Sequence, residues 1–215
     1  MDGLRSALRA LLPRPCPGCA QPLGSAAGLC RACCAGLHPR LERHSMLSNA
    51  VTPHLVVLGE HKAVLRRAAR ELKYSGHRDL AAVLGQAIAS GVPSEWKLRA
   101  VSAVPMSGIR QRQRHFNHAE VLARQVAAEL GLPYQESLKR TRHTTQQAKL
   151  SGEARLSNLI GAFAAQSSGL MVSGKITQTL LLVDDVMTTG ATLKACRDAL
   201  AESGVNQVFY AVITR

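Results

Sequence analysis

Residues 180–183 (LLLV) are four consecutive apolar side chains with no polar alternation. That pattern belongs to a strand buried on both faces, and so to a central strand of a parallel sheet. Asp184 and Asp185 follow at the carboxyl edge of this strand, the edge at which open α/β sheets place their ligands. Thr188, Thr189, Gly190, Ala191 and Thr192 come next, at the start of an expected helix over residues 189–202. Backbone N–H groups and three hydroxyls at a helix N-terminus suit an anion. Gly190 lets the backbone approach that anion closely. Paired carboxylates can accept hydrogen bonds from vicinal hydroxyls, so the stretch reads as a cradle for a phosphorylated ribose. The alternative is a solvated strand end followed by a threonine N-cap.

The rest of the chain supplies the sheet around that strand. Val64, Leu65, Ala68, Ala69 and Leu72 recur at helical spacing, as do the apolar residues of 80–88, with Gly76 between the two helices. Residues 100–104 read as a short strand ending at Pro105, and 117–130 as a helix stopped by Gly131 and Pro133. Gly204 ends the helix that follows the threonines, and 208–213 form a last apolar strand. Strands alternating with helices predict an α/β fold with a parallel sheet flanked by helices. Residues 38–54 show no sustained period and carry two prolines, the pattern of a connector. The expected division is a module over 1–38, a linker over 39–54 and the main domain over 55–215.

The N-terminal module is marked by Cys16, Cys19, Cys30 and Cys33, two C-x-x-C knuckles ten residues apart. Each knuckle aims two thiolates at one point, which suits tetrahedral zinc. The segment holds few large apolar residues, so metal binding would supply its folding free energy. Four cysteine ligands leave no open position, and the zinc is therefore expected to be structural. Cys34 would point elsewhere if Cys33 ligates, and Cys196 reads as a small core residue.

With 27 Lys+Arg against 14 Asp+Glu the chain carries a net charge of +13, which favours polyanionic partners such as nucleic acid or phosphorylated metabolites. Aromatics make up only 3% of residues, too few for a base-stacking platform as the main function. No segment reaches the roughly 18 apolar residues of a membrane span, so no membrane insertion is expected. Residues 4–12 are interrupted by Arg5 and Arg9 and do not read as a signal peptide. A cytoplasmic location follows, with reduced thiols or metal ligands rather than disulfides.

Residues 169–175 (GLMVSGK) spell most of a Walker A loop. Ile176 stands where Ser or Thr should hold magnesium, and an expected strand follows where a helix is required. The match is read as accidental.

V-D-D-x-x-T-T-G-x-T over residues 183–192 resembles the signature of type I phosphoribosyltransferases. Together with the cysteine pairs the chain is similar to the ComF family of competence-associated proteins. Lys73-Tyr74-x-Gly76, Val104-Pro105, Arg114-x-Phe116-Asn117, Arg140-x-Arg142-x-x-Thr145-Gln146 and Arg155-x-x-Asn158-x-x-x-Ala162-Phe163 fit that family's pattern in order. The resemblance implies a type I phosphoribosyltransferase fold with an N-terminal zinc ribbon. It also implies binding of 5-phosphoribosyl 1-pyrophosphate (PRPP) with Mg2+ and a role in DNA uptake during natural transformation. Single-stranded DNA and a competence helicase are the partners it suggests.

Catalytic roles would fall to Asp184, Asp185 and Arg114, with Arg110, Arg112 and Lys73 joining residues 188–192 in binding PRPP. Arg110, Arg112 and Arg114 sit where relatives keep a pyrophosphate loop, and clustered guanidinium forks suit pyrophosphate. Residues 139–147 sit where a mobile loop closes over substrate. The chain departs from the family pattern at His115 and His118, where glycine and glutamine are usual, and at Thr188, where purine-salvage relatives carry an aspartate. The last departure argues against a 6-oxopurine transferase. A metabolic phosphoribosyltransferase with another acceptor, and a non-catalytic ligand-binding scaffold, are the competing readings, because fold kinship does not fix function.

Overall fold

The computed structural model describes residues 14–75, 77–114, 116–142, 159, 161–172, 175–176 and 179–215. Residues 4–12, Thr145, Gln146, Arg155 and Asn158, with most of the expected mobile loop, lie outside this set.

A five-stranded sheet organises the chain. Its strands are β1 (Arg40–Glu42), β2 (Leu55–Gly59), β3 (Ala100–Ala103), β8 (Thr179–Val186) and β9 (Gln207–Thr214), in the order β1-β2-β9-β8-β3. β2, β9, β8 and β3 run parallel, and β1 joins β2 antiparallel at one edge. Leu180, Leu181, Leu182 and Val183 are all fully buried, as a strand covered on both faces requires. A small strand, β1, falls inside the stretch read as a connector. Three residues at a sheet edge are too short to show a period in sequence.

The pleat divides the interior into two cores. Leu181 and Val183 face a layer of three helices: α2 (Ala63–Ser75), α3 (Arg78–Ser90) and α5 (His118–Leu130). Leu180 and Leu182 face α6 (Ala191–Ala201) and a hairpin of β4 (Leu138–Arg140) with β5 (Phe163–Ala165). Trp96 stacks on Phe209 with ring centroids 4.2 Å apart and closes the first core at the end of the sheet away from the aspartates.

Local chemistry sets the helix ends. Asn117 caps α5, its Oδ1 accepting from Ala119 N at 3.1 Å, and Gly131 ends the helix at φ +64°. Gly204, at φ +90°, follows α6, and Val205 N donates back to Leu200 O at 3.2 Å. The basic run expected to form a pyrophosphate loop folds instead as a short helix, α4 (Gly108–Arg114). Charged residues of high helix propensity formed it without an apolar period to announce it. A second hairpin pairs β6 (Met171–Val172) with β7 (Lys175–Ile176). Lys175 therefore opens onto a strand, not the helix a P-loop needs.

The cysteine segment is docked on the main domain. Cys16, Leu29 and Cys33 share one core with Leu72 and Leu80. The Arg67 Nε of α2 donates to Gly18 O at 2.6 Å. A side chain at Gly18 would meet Val64 Cγ1 at 2.8 Å, so glycine is what lets the first knuckle lie against α2. The second knuckle leads into α1 (Arg31–Ala35), which carries Cys33 and Cys34.

Candidate functional site

At the carboxyl edge of β8 the pleat sends Asp184 and Asp185 to opposite faces. Asp185 faces the three-helix layer and is only 4% exposed. Lys73 Nζ, on the last turn of α2, lies 2.6 Å from its Oδ2. His118 Nε2, at the start of α5, lies 3.5 Å from its Oδ1. Burial alone would raise the Asp185 pKa, but His118 and Lys73 outweigh burial and hold the carboxyl below the usual carboxylate range. Asp184 takes the other face, toward α6, and its Oδ1 accepts from Asp185 N at 2.8 Å. Burial first, then the neighbouring charge of Asp185, pushes its carboxyl well above the ordinary value. The two acids are therefore unlike: one is held below the ordinary carboxylate value beside Lys73 and His118, the other is pushed above it.

The cationic network extends outward from Asp185. Arg114, the last residue of α4, places Nη1 3.5 Å from His118 Nδ1 and its guanidinium 5.0 Å from the Tyr74 ring centroid. Tyr74 is 68% exposed, so this stacked pair forms the rim of the site. Asn117 Nδ2 donates to Val104 O at 3.1 Å, tying the start of α5 to the end of β3 and fixing where His118 enters. The structure thus brings together Asp185, Lys73 and Arg114 among the residues expected from sequence. Arg112 is exposed on α4, and Arg110 lies on the same helix.

Beyond the acids, the backbone turns through 187–190 into α6. Met187 N donates to Thr214 O at 2.9 Å, anchoring the turn to β9. Thr189 Oγ1 accepts from Ala191 N at 3.4 Å, and Gly190 is the N-cap at φ +82°, a conformation that favours glycine. Thr188 is exposed, and Thr189 and Thr192 are half-buried. Ala191 is buried where α6 begins. A Cβ at Gly190 would sit 3.3 Å from His44 Cε1, so the stretch read as a connector passes directly behind the turn. Burial, Arg215 and His54 lower the pKa of His44.

His118 and His44 are the residues sequence reasoning undervalued. The signal for His118 was its place just after an asparagine N-cap, where a side chain sits over the sheet edge. No sequence signal marks the approach of His44 to Gly190, which depends on the path of the chain.

The second site is the cysteine quartet. The sulfurs of Cys16, Cys19, Cys30 and Cys33 lie within 4.8 Å of one another, with Cys19 and Cys30 3.6 Å apart. Tetrahedral thiolates at about 2.3 Å from zinc stand roughly 3.8 Å apart, so the quartet has the size of a structural zinc site. Burial opposes ionisation of Cys16, but the N–H groups of Cys30, Cys19 and Gly18 bring it down to about 6, which readies it as a thiolate ligand. Burial and the three neighbouring thiols push Cys33 the other way, a conflict that a bound cation relieves. Cys34 donates to Leu29 O at 3.6 Å and stands outside the quartet, and Cys196 is fully buried in the second core.

A model of the phosphoribosyl transferase domain matches residues 117–215. The chain is 34% identical to competence protein F of Haemophilus influenzae over 110 residues, covering 51% of this chain and 47% of that protein. The aligned part thus spans about half the length of that relative. Similarity to the DNA utilization protein YhgH of Salmonella typhi is 28% over 207 residues, covering 90% of this chain and 86% of that one. Among solved structures, a glutamine PRPP amidotransferase from B. subtilis superposes with a TM-score of 0.44 at 18% identity, over 67% of this chain and 30% of its own. Among the described residues, no helix is long and apolar enough to cross a membrane. The fold is an α/β fold of type I phosphoribosyltransferase kind with flanking helices. The chain is similar to the ComF and YhgH proteins, matches the phosphoribosyl transferase domain over residues 117–215, and carries an N-terminal cysteine cluster of zinc-binding type.

Proposed function

We propose that the chain binds a phosphorylated ribose, with PRPP as the fullest ligand, and serves DNA uptake or processing in natural transformation. The observation that carries the reading is the convergence of Asp185, Lys73, His118 and Arg114 at one strand end, next to the glycine-led turn into α6. In this reading residues 188–192 receive the 5-phosphate on the N-terminal amides of α6. Asp185 accepts a ribose hydroxyl. Arg114, joined by Arg110 and Arg112, receives the pyrophosphate through guanidinium hydrogen bonds. Magnesium arriving with PRPP would help neutralise the pyrophosphate charge at this end of the site.

The domain of residues 55–215 holds the ligand. The module of residues 1–38, closed by zinc, braces α2 through Arg67 and Gly18, and α2 in turn delivers Lys73. The reading includes a cytoplasmic location, where thiols stay reduced and the four clustered cysteines can serve as metal ligands. DNA enters the reading through the names of the relatives and the charge of +13, which provides a field for polyanions.

Binding is favoured over transfer by one observation. Both oxygens of Asp185 face Lys73 and His118, while Asp184 points to the other face and spends Oδ1 on the Asp185 N–H, so neither acid is free to act as a general base. Thr188 adds none.

The test is complementation. A deletion strain of the source organism carrying the Asp184→Asn/Asp185→Asn double variant should show reduced transformation with unchanged protein level. Full transformation by that variant would separate the pocket from the pathway. Filter binding to single-stranded DNA should weaken as salt rises, because phosphate contacts release counterions. A flat salt response would remove direct DNA binding.

A further inference from the structure

We propose that Lys73 supplies the cation at the ribose subsite, so that a ribose phosphate binds there without magnesium. The proposal rests on the ribose-phosphate reading above and concerns how that site works.

Magnesium asks for near-octahedral oxygen ligands, usually with one or two carboxylates among them. The acids here do not offer that set. Both oxygens of Asp185 already face cationic or proton-bearing nitrogens, Lys73 Nζ at 2.6 Å and His118 Nε2 at 3.5 Å. Asp184 points to the other face of the sheet and spends Oδ1 on the Asp185 N–H. Among the described residues, the group of side chains spaced to hold a metal is the cysteine quartet, and the aspartates are not part of one. A divalent ion reaching Asp185 would have to displace the ammonium and then tolerate it as a like charge a few ångströms away.

A vicinal diol meets no such conflict. One hydroxyl can donate to Asp185 while its oxygen, or that of its neighbour, accepts from Lys73 Nζ. The ammonium carries three donors, so it can serve the diol and the carboxylate together. The side chain of Lys73 is 27% exposed against 6% for Asp185, so the lysine is the partner that an incoming sugar reaches first. Its anchorage is firm. Leu72 is fully buried, and Arg67 on the same helix is tied to Gly18 O. Lys73 is thereby assigned as a binding residue that acts on the sugar, not on the pyrophosphate.

Calorimetric titration with ribose 5-phosphate tests this, because that probe lacks the pyrophosphate that would bring its own magnesium. Wild-type protein should bind in EDTA with an affinity within about threefold of that in millimolar magnesium. Lys73→Met should bind about tenfold more weakly in EDTA, the loss of one charge-assisted hydrogen bond, and regain affinity when magnesium is added. Lys73→Arg should keep the magnesium-independent binding. Wild-type binding that requires magnesium would overturn the proposal, as would Lys73→Met binding in EDTA as tightly as wild type. The wild-type comparison decides the question even if Lys73→Met fails to fold. Absence of binding in both buffers would instead overturn the ribose-phosphate reading itself, and the proposal with it.

Discussion

Asp184 and Asp185 are joined by a 2.8 Å hydrogen bond from the Asp185 N–H to Asp184 Oδ1, yet their side chains lie on opposite faces of the sheet and titrate in opposite directions. Adjacent carboxylates in a sequence suggest a matched pair. On a strand the pleat separates them, and each takes its character from the layer it enters.

This opposition gives a pH prediction. The Asp184 pKa is raised in the folded state from 3.8, so its contribution to stability is full below pH 3.8 and is lost as pH rises toward the folded value. Asp185 runs the other way, stabilising the fold above 3.8 and losing that contribution as pH falls. Asp184→Asn keeps an acceptor for the Asp185 N–H and removes the titration. The variant should therefore gain on wild type with rising pH. At pH ~8 its Tm should be higher by at least about 2 °C, the shift expected for roughly 1 kcal/mol at this chain length. Near pH ~4 the advantage should vanish. A variant less stable than wild type at the higher pH would contradict the assignment.

Asn117 holds two elements at once, capping α5 through Ala119 N and tying it to Val104 O. Asn117→Ala should cost about 1–2 kcal/mol, the usual loss for a cap. Thermal unfolding should show a Tm lower by roughly 2–8 °C. Because His118 follows directly, ribose 5-phosphate affinity should fall as well. Intact affinity with reduced Tm would limit Asn117 to a structural role.

The cysteines separate cleanly by position. Wild-type protein purified without added metal should hold one zinc per chain by elemental analysis. Cys33→Ser should lose the metal and lower the Tm, whereas Cys34→Ser should retain both, since Cys34 Sγ lies outside the quartet and bonds Leu29 O. Loss of zinc from Cys34→Ser would redraw the ligand set.

Much of this molecule is readable in its sequence because the signals are local. The apolar run at 180–183, the C-x-x-C knuckles, the Asn117 cap and the stop at Gly131 each act within a few residues, and each forms the element its chemistry suggests. Basic residues 110–114 hide a helix, because no apolar stripe marks a surface helix that packs little. Residues 40–42 hide a strand, whose existence depends on pairing with β2. The meeting of Lys73, His118 and Arg114 around Asp185 joins α2, α5, α4 and β8, elements up to 112 residues apart between Lys73 and Asp185. Only the fold supplies that proximity. The approach of His44 to Gly190 has the same origin.

The central claim is that Asp185 sits in a ribose-phosphate site. Titration of ribose 5-phosphate into wild-type protein and into Asp185→Asn, with both confirmed folded by circular dichroism, tests it most directly. The variant should bind at least about tenfold more weakly, since a charged acceptor is lost and the Lys73 ammonium is left unpaired. Equal affinity in the two proteins would contradict the account.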